Sequence, residues 1–261
     1  MTGLELARVH GEETEPASRR VVRGGVRVAG LGLAALDTAR SLRSLRGAVD
    51  RDGARERALV LREAARRVLD LHDIELDTRG PLPLGAAIVA ANHVSWLDPL
   101  VVASVLPCVP ISKADVSGWP VIGSLARELG VVFFSRGDAG SGARVLRAAA
   151  SALENGLPVL NFPEGTTTVG ASVLSFRKGL FGLALTANVP VFPAAIAYDP
   201  PDLAWVGDAP FLPHYLKLAG GRRARAVLRI GEPLAPAAHA SAADLAAATR
   251  ERVLELLRER A

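Results

Sequence analysis

A single cysteine, Cys108, stands in 261 residues. No internal disulfide and no cysteine-based metal site can form, which agrees with a reducing compartment. The histidines His10, His72, His93, His214 and His239 are scattered, without ligand spacing such as H-E-x-x-H, so no metal is expected. No stretch reaches the roughly 18 apolar residues that a membrane-spanning helix needs. The nearest case, Val28 to Leu36, has nine. Aromatics make up 5% of the chain and few lie among the arginines, so base stacking on a nucleic acid has no support. A G-x-S-x-G nucleophile elbow is also missing, which argues against a hydrolase built on an activated serine.

Apolar residues make up 49% of the chain, enough for the core of one large domain or of one domain with an appendage. The net charge of +4 is unevenly spread. Residues 1–18 hold one Arg against four Glu, residues 19–70 thirteen Arg against six acids, and residues 71–261 seventeen of each sign. A basic segment on a neutral body suits an anionic surface, membrane or nucleic acid. It also suits a solvated Arg-rich face. Ser18-Arg19-Arg20 ahead of an apolar run has the start of a twin-arginine export signal. Arg23 and Arg27 interrupt it, and Asp37 closes the run without a small-residue cleavage site, so export is not expected.

Three regions follow. Residues 1–18 are polar and read as a disordered lead. Residues 19–72 form a basic amphipathic helical segment. From 19 to 45, Val22, Val26, Leu31 and Leu33 alternate with Arg23, Arg27 and Arg40 among several glycines; from 53 to 71, Leu59, Leu61, Val68 and Leu69 alternate with Arg57, Arg62, Arg66 and Arg67. Two such helices in series fit an interfacial hairpin with apolar faces in the acyl region and Arg at the headgroups. They also fit a helical subdomain packed on the body. Residues 73–261 form an α/β domain. Strands are expected at 74–77, 86–91, 109–112, 130–135, 158–162, 190–197 and 226–230, and helices at 98–106, 119–128, 141–154, 176–187 and 242–260. Continuously apolar strands point to a mixed, mostly parallel sheet flanked by helices, where ligands bind at the carboxyl ends of strands.

Chemistry-bearing residues fall at three such ends. Asn92-His93-Val94-Ser95-Trp96-Leu97-Asp98 follows the apolar run 86–91. Histidine suits proton transfer near neutral pH, and a carboxylate can fix its tautomer and stabilise its cation. Residues five apart lie about 140° apart on a helix, so the pair meets only if the chain turns between them. Asp98-Pro99 also reads as a helix start with Asp as N-cap. Gly130 to Arg136 is an apolar strand delivering an arginine, whose planar fork suits phosphate or carboxylate. Phe162-Pro163-Glu164-Gly165-Thr166-Thr167-Thr168 supplies a carboxylate, a glycine and hydroxyls. Val189-Pro190-Val191-Phe192-Pro193 reads as a strand. Gly137–Gly142 lacks the G-K-[ST] ending of a phosphate loop and reads as a linker capped by Ser141.

In that order, N-H-x-x-x-x-D, G-x-x-F-x-x-R, F-P-E-G-T and V-P-V-x-P are four blocks at 92–98, 130–136, 162–166 and 189–193. The chain thereby resembles the glycerolipid acyltransferases of the 1-acylglycerol-3-phosphate acyltransferase type, over about residues 74–200. The resemblance implies transfer of a fatty acyl group from acyl-CoA or acyl-carrier protein to a lysolipid hydroxyl. 1-Acylglycerol 3-phosphate, giving phosphatidic acid, is the leading acceptor. No further cofactor is implied. His93 would be the general base and Asp98 its orienting acid, with direct attack and no acyl-enzyme; Cys108 lies outside the blocks. Arg136, Glu164, Gly165 and Thr166 would bind the acceptor. Glu164 would hold Arg136 or an acceptor hydroxyl, since it repels phosphate. Asn92, Lys113, Arg177 and Lys178 are supporting residues. Membrane lipid is the implied partner, nucleic acid is not, and the place of work is the cytoplasmic face of the inner or plasma membrane, as a peripheral or monotopic protein.

Two departures bear on the acceptor. Ser135 stands where the second block often has an acid, and Thr167 where the third often has a base. A lyso-ornithine lipid, another lysophospholipid or glycerol 3-phosphate therefore stays open as acceptor. The non-enzymatic alternative is a membrane- or nucleic-acid-binding module.

Overall fold

The seven expected strands form one sheet in the computed structural model, which describes residues 15–45, 47, 51–135, 137–170, 172–205 and 210–259. The elements run α1 (Ala17–Arg43), α2 (Arg51–Leu71), β1 (Ile74–Arg79), β2 (Ile88–Ala91), α3 (Asp98–Val105), β3 (Val109–Lys113), the short α4 (Ala114–Ser117), α5 (Ile122–Glu128), β4 (Val132–Phe134), α6 (Ala139–Glu154), β5 (Val159–Asn161), α7 (Gly179–Ala187), β6 (Val191–Asp199), α8 (Phe211–Gly220), β7 (Ala224–Ile230) and α9 (Ala242–Arg258).

The strand order is β1-β7-β6-β2-β5-β3-β4. Every neighbouring pair is parallel except β6–β7. This is the mixed, mostly parallel sheet flanked by helices that the sequence pattern predicts. Side chains alternate across the pleat. Val89 and Ala91 of β2 join Leu61, Ala65 and Leu69 of α2 and Val101 and Val102 of α3 on one side. Ile88 and Ala90 join Ala149 and Leu153 of α6, Phe181 of α7 and Leu245 of α9 on the other. Each fully buried Leu, Ile or Phe contributes about 1.5–3 kcal/mol. Pro193 sits inside β6, which is central. It pairs with Ala90 on one side, while the ladder to β7 begins at Ala194, so no sheet bond to β7 is asked of the missing N–H.

The two basic helices differ from each other. The apolar stripe of α2 is buried: Ala58, Leu61, Ala65 and Leu69 are all inside. α1 is built the other way round. Val21, Val22, Val26, Leu33 and Leu36 are more than half exposed, while Arg27 is buried and bonds Gly221 O at 2.8 Å, Ala219 O at 3.2 Å and Asp73 Oδ2 at 3.0 Å. Arg23 donates to Gly220 O at 3.0 and 3.2 Å. Both guanidinium groups thus sit at the carboxyl end of α8, where free carbonyls and the helix dipole favour a cation. These arginines hold α1 to the body; they do not line an outer face, as the hairpin reading has it.

Other differences have local causes. α8 has no counterpart among the expected helices. Its Pro213 lies in the first turn, where a missing N–H costs nothing. α6 starts at Ala139, and its cap is Asp138, which accepts the Gly140 N–H at 2.8 Å. Ser141, the expected cap, uses its hydroxyl to accept the Ser135 N–H at 2.8 Å.

Candidate active site

The site begins where β2 stops. Asn92 is buried, and its side-chain amide bonds the backbone of Ile196 twice, accepting its N–H at 2.7 Å and donating to its C=O at 3.0 Å. The side chain does what a peptide would do in a longer strand. The backbone of His93 is freed to turn, and α3 starts at Asp98. The turn brings His93 Nδ1 to 2.7 Å from Asp98 Oδ2. The same oxygen accepts the N–H groups of Val94 at 2.7 Å and Ser95 at 2.9 Å. The other oxygen accepts the Tyr198 hydroxyl at 2.7 Å. Asp98 is fully buried, and four donors plus the first turn of α3 compensate its charge. Its side chain reaches back into the loop and does not cap the helix from outside; the residue before the helix is Leu97, which makes no side-chain cap.

A carboxylate accepts only, so the proton of the His93–Asp98 bond sits on Nδ1. Nε2 keeps its lone pair on the opposite edge of the ring. The imidazole stacks on Phe162, with ring centroids 4.3 Å apart, and its side chain remains 21% exposed. It is thus held on two sides and reachable from outside.

The loop after β5 grips the backbone of the same histidine. Glu164 Oε1 accepts the His93 N–H at 2.7 Å, and Thr168 N–H donates to the His93 carbonyl at 2.8 Å. Glu164 Oε2 accepts the Leu174 N–H at 2.8 Å. Burial pushes the Glu164 carboxyl above its ordinary range, against the pull of these two N–H groups. Gly165 closes the turn with φ of +71°, and a Cβ there would lie 2.8 Å from Arg177 Nε. Only glycine allows both the left-handed backbone and the guanidinium lying over it. Thr166 is partly exposed on the same turn.

The structure therefore brings His93, Asp98, Asn92, Glu164, Gly165, Thr166 and Arg177 together at the carboxyl ends of β2 and β5. Lys113 ends β3 and Lys178 precedes α7, both exposed. Arg136 lies outside the described residues. Cys108 is buried and its thiol is pushed up to about 12 by desolvation, which leaves it without nucleophilic character. Among the described residues, no three His, Cys, Asp or Glu side chains gather as metal ligands.

Sequence reasoning missed several neighbours. Tyr198 reaches Asp98 across 100 residues, Thr168 is a hydroxyl residue whose backbone does the work, and Trp96 Nε1 donates to His214 Nδ1 at 3.2 Å. Trp96 also packs edge-on against Phe211 and Tyr215 of α8. None of these contacts has a sequence spacing that could announce it.

Residues 73–197 match the family model described as Acyltransferase. The chain is 35% identical over 184 residues to the lyso-ornithine lipid O-acyltransferase of Pseudomonas aeruginosa, covering 69% of this chain and 70% of that one. It is also 35% identical over 163 residues to the 1-acyl-sn-glycerol-3-phosphate acyltransferase of Neisseria meningitidis, covering 62% of each. The crystal structure of the 1-acyl-sn-glycerophosphate acyltransferase of Thermotoga maritima shares the fold. Its TM-score is 0.68 at 24% identity, over 94% of this chain and 98% of that one. The aligned relatives, the matching fold and the four motif blocks agree: this chain belongs to the glycerolipid acyltransferase family.

Proposed function

We propose that the protein moves a fatty acyl group from acyl-CoA or acyl-carrier protein to the free hydroxyl of a lysolipid, with His93 as general base. The observation that carries this reading is the 2.7 Å bond from His93 Nδ1 to the buried Asp98, with Nε2 on the opposite edge of a partly exposed ring. Nε2 takes the hydroxyl proton as the oxygen attacks the thioester carbonyl. The C–O bond forms, the tetrahedral intermediate collapses, the C–S bond breaks, and the proton on Nε2 passes to the departing thiolate. Asp98 stabilises the transient imidazolium. Such a base is worth about 10²–10⁴-fold. The inert Cys108 fits direct attack without an acyl-enzyme, and the reaction calls for no further cofactor.

For the acceptor we propose 1-acylglycerol 3-phosphate, giving phosphatidic acid. Arg177 over Gly165, with Lys113 and Lys178 on the same rim, supplies positive charge where Thr167 does not. Arg136 keeps its headgroup role from the motif alone. Glu164 has each oxygen on a backbone N–H, which favours a bracing role over contact with Arg136 or an acceptor hydroxyl. Ser135 and Thr167 favour a second reading, a lyso-ornithine lipid acceptor, and the equal identity to two differently named relatives leaves the choice to experiment.

We further propose that the protein works at a lipid surface, on the cytoplasmic side where its thioester donors are made. No helix among the described residues is long and apolar enough to cross a membrane. The exposed apolar stripe of α1 and exposed Leu212 and Leu216 on the adjoining α8 suit a peripheral or monotopic contact. The test is thiol release from palmitoyl-CoA by detergent-purified protein, with lysophosphatidic acid, lyso-ornithine lipid or neither. Release that requires a lysolipid supports the transferase and names its acceptor. Release without any acceptor would make the protein a thioesterase.

A further inference from the structure

The motif accounts for only one oxygen of Asp98. Oδ2 serves His93, Val94 and Ser95, and Oδ1 accepts the Tyr198 hydroxyl at 2.7 Å. Tyr198 lies on β6, two residues beyond Ile196, whose backbone is clamped by Asn92. One short stretch of β6 therefore anchors both ends of the catalytic loop, Asn92 through a backbone and Asp98 through a side chain. Asp98 has no exposure, so without Tyr198 its Oδ1 would face no protein donor among the described residues.

Tyr198 is suited to a fixed bond and not to proton transfer. Burial of its hydroxyl, and then the Asp98 charge beside it, hold the phenol well above its ordinary value. It stays a donor throughout the working range of pH. Its ring packs beside the core cluster that holds Leu97 and Val101, which limits its movement.

We infer that Tyr198 is a positioning residue for acyl transfer: its hydroxyl fixes the rotation of the Asp98 carboxylate and shares its charge, and so sets the orientation and basicity of His93. The inference rests on His93 being the base. Besides Phe162, on which the ring stacks, three titratable groups among the described residues bear on the imidazole. Asp98 of α3 bonds it directly, Glu164 of the loop after β5 bonds its backbone, and Tyr198 of β6 acts through Asp98. Removing the hydroxyl concentrates the carboxylate charge toward His93 and makes the imidazolium easier to form.

Tyr198→Phe keeps the ring and removes the bond. The expected result is kcat about tenfold lower, KM for lysolipid and donor within about twofold, and the acid limb of the kcat–pH profile moved to higher pH. In an Asp98→Asn background the same change should have no further effect. Proton NMR gives a readout independent of turnover. The downfield His93 Nδ1–H resonance, identified by its absence in His93→Ala, should move further downfield in Tyr198→Phe as the bond to Asp98 tightens. An unmoved resonance overturns the inference, whether or not the protein turns over. So does an unmoved acid limb with kcat within twofold in a protein whose wild type is active. A wild type that transfers no acyl group to any lysolipid, with the resonance shifted, overturns the transferase reading alone.

Discussion

Glu164 holds the backbone N–H of His93 at 2.7 Å from a position 71 residues further along the chain. With Thr168 on the His93 carbonyl, the third motif block and the residues just after it fix the backbone of the residue whose side chain the first block orients. The two blocks form one device. Asp98 sets the ring and Glu164 sets the backbone from which the ring projects.

His93→Ala should abolish lysolipid-dependent thiol release, a loss of about 10²–10⁴-fold, with an unchanged circular dichroism spectrum. The ring is partly exposed and rests on Phe162, so its removal leaves the core intact. Asp98→Asn should also lose activity but be less stable as well, because two backbone N–H groups and Tyr198 share its carboxylate.

Glu164→Gln should lower both activity and stability. The amide has one acceptor where the carboxylate had two, so one buried N–H faces another donor, at about 1–3 kcal/mol. The pH dependence has a definite sign. Burial raises the Glu164 carboxyl above its ordinary 4.5. The protonation-linked part of its contribution is then fully present below that value and is lost as pH rises through the raised one, while the two N–H bonds remain. Melting temperatures across pH 4–8 should show wild type losing stability relative to Glu164→Gln upward from about 4.5, the ordinary value. A flat difference would contradict the assignment.

Arg177→Ala should raise KM for a phosphate-bearing lysolipid about tenfold with kcat little changed, the pattern of a lost binding contact. A zwitterionic lysolipid should be affected less. Equal loss on both acceptors would mean that Arg177 supports the Gly165 turn and does not meet the headgroup.

Val22→Glu with Val26→Glu on the exposed side of α1 should weaken sedimentation with anionic vesicles at least tenfold while leaving the melting temperature within a few degrees. Leu61→Glu on α2 should instead unfold the protein, because that side chain is in the core. Vesicle binding that survives the α1 changes would place the lipid contact elsewhere.

The seven strands and most helices are legible in the sequence because each is a local periodic pattern. A run such as Ile88-Val89-Ala90-Ala91 has to be buried on both faces, and α/β layering is what buries it. The His93–Asp98 pair is legible for a related reason: both residues lie on one short turn between a strand and a helix, so their meeting depends on local geometry. The fate of α1 and α2 is not legible. Both are amphipathic and rich in arginine, and no pattern says which apolar side faces the core. Packing decides: α2 turns Leu61 and Leu69 inward, and α1 turns Arg23 and Arg27 inward to meet the carbonyls at the end of α8.

The sequence by itself determined the layered sheet, the His93–Asp98 pair and the family, because these rest on contacts close along the chain or on residues in fixed order. Only the tertiary structure decided what surrounds the pair. Glu164 and Thr168 on the His93 backbone, Tyr198 on Asp98 and Arg177 over Gly165 are contacts made by the sheet order β6-β2-β5 and the loops at its rim. A hydrogen bond between residues 71 or 100 positions apart leaves no spacing to read, since the fold alone brings its two ends within reach.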